Sequence, residues 1–121
     1  MCGIAGIVGA RPVNEAAVRA MTRLLAHRGP DDEGFFASDD GRVQLGHRRL
    51  SIIDTSSAGH QPMIRGAQVI TFNGEIYNYR ELAARLADEG VRLRSASDTE
   101  VLLAAYGQWG TDCLAELNGM F

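Results

Sequence analysis

The sequence has few cysteines, no long apolar run and no excess of basic residues, and each shortage excludes a class of protein. Only two cysteines, Cys2 and Cys113, occur in 121 residues. That is too few for a disulfide-scaffolded secreted domain, although a single disulfide between them is an alternative to two free thiols. No segment approaches the roughly 18 apolar residues of a membrane-spanning helix. The net charge of −3, with scattered arginines, argues against nucleic acid or a membrane surface as partner.

Two further absences narrow the chemistry of the chain. The histidines His27, His47 and His60 show no metal-ligand spacing with either cysteine, so we expect no metal site. No glycine loop followed by a lysine occurs, so we expect no nucleotide bound by these residues. The apolar content of 45% and the length predict one globular domain over 1–121, and free thiols with no secretion signal predict a cytoplasmic protein.

Turn and cap signals divide the first half of the chain into strands and a helix. GIAGIVG (3–9) predicts a buried strand, and Asn14 predicts the N-cap of a helix running to about Leu25. FFAS (35–38) and VQLGHRRL (43–50) predict a β-hairpin, because the Asp-Gly between them favours a tight turn.

The second half alternates in the same way. AQVITFN (67–73) predicts the clearest strand, and a helix is expected from Asn78 to Asp88. VRLRS (91–95) predicts an edge strand, and SDTE predicts the start of a helix over 97–106. The apolar residues 120–121 predict the beginning of another buried strand. Runs of strands with helices between them predict an α+β layered fold.

Cys2 stands directly after the initiator methionine, where it is a candidate nucleophile. A free thiol has a pKa of about 8.5 and needs a base, yet the spacing reveals no Cys-His pair. Removal of Met1 would leave an α-amine on the same residue, with a pKa of about 7.7–8.0 that suits proton transfer near neutrality. Taken alone, however, a cysteine at this position is more often a small apolar residue at a fraying terminus.

Three other groups of residues suggest acyl-transfer chemistry. Asn73 and Gly74 follow a strand and could donate a side-chain and a backbone N–H to an oxyanion, although Asn-Gly also makes plain turns. Arg49 could bind a carboxylate with its guanidinium fork, although exposed arginines are common. Glu75 and Asp98 could receive an ammonium group, although Asp98 also suits a helix start.

Taken together, these features closely resemble the amino-terminal glutaminase domain of glutamine-hydrolysing asparagine synthetases. Those enzymes are class II glutamine amidotransferases of the N-terminal-nucleophile hydrolase superfamily. The resemblance covers essentially the whole chain, and its blocks occur in the family's order: MCGIAGIVG, HRGPDDEG, LGHRRLSIID, GHQPM, FNGEIYNYREL, SDTEVLLAAYGQWG and LNGMF.

The resemblance implies an αββα sandwich, incomplete in this chain, that hydrolyses glutamine to glutamate and ammonia. Cys2 matches the family's nucleophile, and Asn73 with Gly74 matches its oxyanion hole. Arg49 matches the residue that grips the α-carboxylate of glutamine, and Asp98 the one that takes its α-ammonium group. The residues implied to bind the substrate are Arg49, Leu50, Ser51, Ile52, Ile53, Asn73, Gly74, Glu75 and Asp98.

The resemblance also implies partners beyond these residues. L-Glutamine is the expected substrate, and no cofactor is expected in this chain. A synthetase domain, normally on the same polypeptide, would use ATP and Mg²⁺ to activate aspartate and would receive the ammonia; a homodimer is compatible with the full-length enzyme. Family domains continue past LNGMF, so we expect a C-terminally truncated fragment with poor solubility or no activity alone. Two alternatives remain: an amidotransferase acting on another carboxylate, and a non-catalytic fragment.

Overall fold

The computed structural model describes residues 2–52 and 56–121, which form two compact units of mixed α/β structure. The first unit contains residues 2–51, 60–62 and 71–73. The second contains residues 52, 56–59, 63–70 and 74–121. The predicted mixture of strands and helices is therefore confirmed. None of the helices in the described part of the chain is long and apolar enough to cross a membrane.

The first unit is a three-stranded antiparallel sheet with one helix packed against it. In chain order its elements are β1 (Gly3–Val8), α1 (Glu15–Leu24), β2 (Asp32–Ala37) and β3 (Val43–Arg49). The strand order is β1-β3-β2, so β3 pairs with both neighbours. The predicted hairpin is confirmed: Gly41 turns between β2 and β3 at φ +67°, a conformation that glycine adopts without strain.

Helix α1 begins where the sequence predicts. Asn14 accepts a hydrogen bond at 2.9 Å from the amide of Ala16, which satisfies an otherwise unpaired N–H of the first turn. The helix approaches β3 closely because Gly46 has no side chain: a Cβ at this position would overlap the hydroxyl of Thr22. That hydroxyl is itself buried and donates to the carbonyl of Val18 at 2.8 Å. The close approach fixes α1 on one face of the sheet.

The prediction of a buried first strand is wrong in part. Side chains of a strand alternate between the two faces of its sheet. In β1 this alternation leaves Ile4 and Val8, on the face away from α1, exposed by 47% and 75%. Only one face of β1 is therefore covered by the helix.

The second unit consists of two helices, two short strand pairs and a 3₁₀ segment. Its elements are β4 (Met63–Arg65), β5 (Gln68–Ile70), β6 (Glu75–Ile76), α2 (Tyr79–Asp88), α3 (Asp98–Trp109) and β7 (Gly119–Met120), with 3₁₀ turns at Ser57–Gly59 and Gly110–Glu116. Strands β4 and β5 pair with each other, as do β6 and β7. The apolar core contains Ile76, Leu82, Leu86, Val101, Leu103, Ala104, Ala105 and Cys113.

Local side-chain bonds explain why two predictions in this unit are wrong. The 91–95 segment is not a strand, because the carboxylate of Glu100 accepts hydrogen bonds from the amides of Arg94 and Ser95. Asn78 precedes α2 without capping it: its amide donates to the carbonyl of Glu116, and its oxygen accepts from the amide of Asn118. The side chains of Glu100 and Asn78 therefore bond to backbone groups of other segments, and these bonds replace the local pattern that the sequence predicts.

Two further predictions are corrected at strand ends. The strand expected over 67–73 is confirmed only for Gln68–Ile70, and residues 71–73 leave the ladder. Residues 119–120 do form a strand, but Met120 and Phe121 are exposed by 54% and 67%, so the expected burial is absent.

Candidate active site

The candidate nucleophile and the candidate carboxylate anchor face each other at one end of the sheet in the first unit. The pairing of β1 with β3 places Gly3 opposite Arg48, and extending this register by one residue places Cys2 opposite Arg49. Directly opposed residues of antiparallel strands point to the same face with their Cβ atoms about 4.5–5.5 Å apart. Arg49 is 8% exposed, and Cys2 is half-buried. The sheet thus places the backbone positions of Cys2 and Arg49 side by side.

The thiol of Cys2 also contacts the backbone just after β3. Its Sγ lies 3.4 Å from the amide nitrogen and 3.7 Å from the carbonyl oxygen of Leu50. The amide donates to the sulfur, and the thiol donates to the carbonyl, so both bonds tie Cys2 to the residue that follows Arg49. Cys2 and Cys113 are both free cysteines, so the disulfide alternative is wrong.

The loop before β2 supports this end of the sheet. Gly29 lies so close to the backbone of Arg48 that a Cβ would overlap it. Asp31 donates its amide to the carbonyl of Arg49 at 3.0 Å, and its carboxylate accepts from the amide of Ser51 at 2.8 Å. These bonds hold the backbone on both sides of Leu50.

Two buried side chains bind the backbone of Phe72, next to Asn73. The amide of Phe72 donates to Oε1 of Gln61 at 2.7 Å, and its carbonyl oxygen lies 3.2 Å from Nε2 of His47. His47 is 1% exposed and Gln61 is 5% exposed. Both peptide groups of Phe72 therefore have a side-chain partner.

His47 is held neutral by its surroundings. Burial lowers its pKa from 6.5 to about 4; the bond to Phe72 opposes this shift, and the charge of Arg49 adds to it. Because the carbonyl of Phe72 only accepts, Nε2 must carry the proton. Neutral His47 therefore stabilises the fold fully above pH 6.5, and this contribution, at most about 3 kcal/mol, is lost as the pH falls from 6.5 through 4.

The predicted site residues divide between the two units. Cys2, Arg49, Leu50, Ser51 and Asn73 belong to the first unit, and Ile52, Gly74, Glu75 and Asp98 belong to the second. Ile53 lies outside the described residues. Within the first unit, Cys2, Arg49 and Leu50 are brought together as described.

Within the second unit, Asp98 lies against the strand that carries Glu75. One carboxylate oxygen of Asp98 accepts from the amide of Ile76 at 2.9 Å, and the other accepts from the amide of Thr99 at 2.9 Å. The residue is 6% exposed and opens α3, whose N-cap is Ser97 as predicted. A carboxylate has about four acceptor positions, so Asp98 keeps capacity for an ammonium group. Both interpretations of Asp98, helix start and ligand group, are compatible with this geometry.

The second unit also contains an apolar cavity. Its volume is about 410 Å³, and it is lined by Gln68, Val69, Ile70, Leu102, Leu103, Tyr106, Cys113 and Leu114. Burial raises the pKa of the Cys113 thiol, with a smaller contribution from Asp112. This thiol is therefore a weak nucleophile. In the described part of the chain, no three histidine, cysteine or carboxylate side chains are grouped to hold a metal ion.

The interpretation of the sequence missed His47 and Gln61. The sequence suggests for His47 only a possible metal-ligand role, and it contains Gln61 only as part of the block GHQPM. One signal was available: residues two apart on a strand share a face, so His47 lies on the same face of β3 as Arg49. The contact of either side chain with Phe72 joins positions at least 11 residues apart and left no trace in local spacing.

Residues 1–121 match the glutamine amidotransferase domain family over the whole chain. The chain belongs to this family, which confirms the resemblance stated from the motifs.

The chain is also similar to several curated proteins. Over its full length the chain is 41% identical to the glutamine-hydrolyzing asparagine synthetase 1 of Bacillus subtilis (strain 168). It is 39% identical to the putative glutamine-hydrolyzing asparagine synthetase 2 of Methanocaldococcus jannaschii. The chain spans 20% and 27% of the lengths of these two relatives. Over 81% of its length it is 44% identical to Amidase chry2 of Gibberella zeae, of which it spans 15%.

Proposed function

We propose that this chain hydrolyses L-glutamine to glutamate and ammonia through a thioester on Cys2. The observation that carries the proposal is the position of Cys2, opposite buried Arg49 and in contact with the amide of Leu50. Membership of the glutamine amidotransferase domain family supports the choice of substrate. Glutamine is a zwitterion with an amide at its far end, so it needs an anion fork, an ammonium acceptor and an amide-attacking group.

The first half of the reaction forms the thioester. After Met1 is removed, the α-amine of Cys2 takes the thiol proton, and the sulfur attacks the δ-carboxamide carbon of glutamine. The side-chain amide of Asn73 and the backbone N–H of Gly74 donate to the oxygen as it becomes negative. The protonated amine gives its proton to the amide nitrogen, the C–N bond breaks, and ammonia leaves.

The second half of the reaction releases glutamate. The same α-amine takes a proton from water, and the resulting hydroxide attacks the thioester carbon. The C–S bond breaks, the thiolate regains a proton from the amine, and the new side-chain carboxylic acid loses its proton to solvent as glutamate leaves. The amide of Leu50, 3.4 Å from the sulfur, stabilises the thiolate in both halves.

Substrate binding is proposed to use charge at both ends of the amino-acid group. Arg49 binds the α-carboxylate with its planar fork, and Asp98 takes the α-ammonium group while keeping its two backbone bonds. Glu75 and the backbone of residues 50–53 are proposed to complete the pocket.

In the full-length protein, we propose that the ammonia serves asparagine synthesis from aspartate by a synthetase domain that uses ATP and Mg²⁺. The full coverage of this chain by asparagine synthetases supports this acceptor. An amidotransferase acting on another carboxylate is the second candidate, because one relative, Amidase chry2, has a name that does not mention asparagine.

Hydroxylamine trapping tests the proposed thioester. When the full-length protein turns over glutamine with hydroxylamine present, we expect γ-glutamyl hydroxamate to form at the expense of glutamate, because hydroxylamine competes with water for the acyl group. Intact-mass spectrometry of the same sample should show that activity follows the fraction lacking Met1. Glutamate formation that hydroxylamine never diverts would contradict a thioester, and full activity with Met1 retained would remove the α-amine as base.

Arg49→Ala should chiefly weaken substrate binding. Loss of a charged, bidentate contact is expected to raise KM for glutamine by about 10²-fold, with a smaller change in kcat. Arg49→Lys should give an intermediate KM, since it keeps the charge but loses the fork. The measurement is steady-state ammonia release as a function of glutamine concentration.

Arg48→Ala is the matched control. Arg48 precedes Arg49 on β3, points to the opposite face and bonds the carbonyl of Gly29 and the carboxylate of Glu33. Its removal should lower stability and leave KM nearly unchanged. Equal effects of the two substitutions on KM would exclude Arg49 as the carboxylate anchor.

A further inference from the structure

Two side chains bind the peptide groups of Phe72, one on each side of the residue. Its amide donates to Gln61 and its carbonyl accepts from His47, and both side chains are more than nine-tenths buried. The two bonds act on the backbone immediately before Asn73. Because the carbonyl of Phe72 and the nitrogen of Asn73 share one planar peptide group, these bonds fix the position and direction in which the chain enters Asn73.

The sheet provides the space for this arrangement. Gly34 of β2 is paired with His47 of β3. A Cβ on Gly34 would overlap the carbonyl of Gln61 and would lie 2.7 Å from the ring of His60. The missing side chain therefore lets residues 60–62 lie against the same part of the sheet as His47, within reach of Phe72.

We propose that His47 is a positioning residue which, together with Gln61, clamps the backbone of Phe72 and so holds Asn73 in place to stabilise the oxyanion. The proposal rests on the role given to Asn73 in the proposed function. His47 acts through the backbone and does not touch the substrate. Donors aimed at a developing charge act only if they are fixed in advance, which is what such a clamp supplies.

The chemistry of histidine suits this position better than that of a lysine or an arginine. The charged or titratable groups that influence His47 are Arg49, Asp32 and His60. Asp32 bonds His60 at 2.7 Å, so its carboxylate already has a partner. Nδ1 of His47 has no hydrogen-bond partner in the described part of the chain, in keeping with a ring protonated only at Nε2. A neutral ring near Arg49 adds no repulsion to that guanidinium.

The test compares His47→Leu with His47→Gln in the full-length protein. His47→Leu removes the donor and is expected to lower kcat for glutamine hydrolysis by about 10–10²-fold with little change in KM, because a misplacement of about 1 Å costs up to 10²-fold. His47→Gln keeps an N–H near the position of Nε2 and should restore most of kcat. An alkylating agent labels Cys2, and glutamine protects this residue only in folded sites. Each rate is divided by the amount of Cys2 labelling that glutamine prevents, so that only folded sites are counted.

A double variant separates positioning from a merely structural role. If His47 acts through Asn73, His47→Leu combined with Asn73→Ala should be no slower than Asn73→Ala alone. The proposal would be overturned if the fold-losses of kcat in the two single variants multiplied in the double variant. It would also be overturned if His47→Leu left kcat unchanged. If His47→Leu does not fold, Gln61→Met removes the acceptor on the other side of Phe72, and the same criteria apply. If Asn73→Ala leaves kcat unchanged, Asn73 is not the oxyanion donor and that part of the proposed function is wrong. If Asn73→Ala lowers kcat but His47→Leu leaves it unchanged, only the proposed role of His47 is wrong.

Discussion

Replacing Cys2 by alanine is expected to reduce glutamine-dependent ammonia release by about 10³-fold or more. The substitution removes the atom that would form the thioester, and no other step of the proposed reaction can begin without it. The measurement is ammonia and glutamate release by the full-length protein. If that protein carries a synthetase domain, amide formation from added ammonia should persist in the variant, because only the ammonia source is lost.

Cys113→Ala is the matched control for the loss of a thiol. Cys113 belongs to the other unit, is fully buried, and has a raised pKa that makes it a poor nucleophile. Its replacement should cost some stability and leave glutamine hydrolysis intact. If activity survived in Cys2→Ala and disappeared in Cys113→Ala, Cys113 and not Cys2 would be the nucleophile, and our proposal would be wrong.

Asn73→Ala is expected to lower kcat by about 10²–10³-fold with a small change in KM. This is the loss seen when one side-chain donor is removed from an oxyanion hole, since the oxygen becomes charged only in the transition state. Asn73→Asp should be at least as damaging, because it replaces the donor by a negative charge of the same shape. Single-turnover thioester formation, followed by acid quench, measures the affected step directly.

Asn78→Ala controls for the loss of an asparagine in the same segment. The side chain of Asn78 bonds the backbone of Glu116 and Asn118, so its removal should cost about 1–2 kcal/mol of stability. We expect kcat to remain close to that of the unsubstituted protein. A comparable fall in kcat for both variants would mean that Asn73 acts only through the fold.

Much of the fold could be predicted because its signals are local. The Asp-Gly turn between β2 and β3, the Asn14 cap and the Ser97 cap each depend on neighbouring residues. The errors came from side chains that act at a distance. Residues 71–73 have strand-forming character, but the peptide groups of Phe72 bond to the side chains of Gln61 and His47, which are 11 and 25 residues away in the sequence.

The sequence also predicted only part of the candidate site. The motif order identified the family, and the strand register then placed Cys2 opposite Arg49, a proximity that spacing alone could not give across 47 residues. The individual roles of Arg49, Asn73, Glu75 and Asp98 stay predictions. Asp98 shows why spacing is ambiguous: its carboxylate begins a helix and bonds Ile76 at the same time, so one residue fits both interpretations.

The missing side chain at Gly46 also constrains how this sequence can change over time. Since the hydroxyl of Thr22 fills the volume that a Cβ would occupy, neither position can gain an atom unless the other loses one. A side chain at position 46 is therefore expected to be accepted only together with a smaller residue at position 22, at the contact that joins the helix to the central strand.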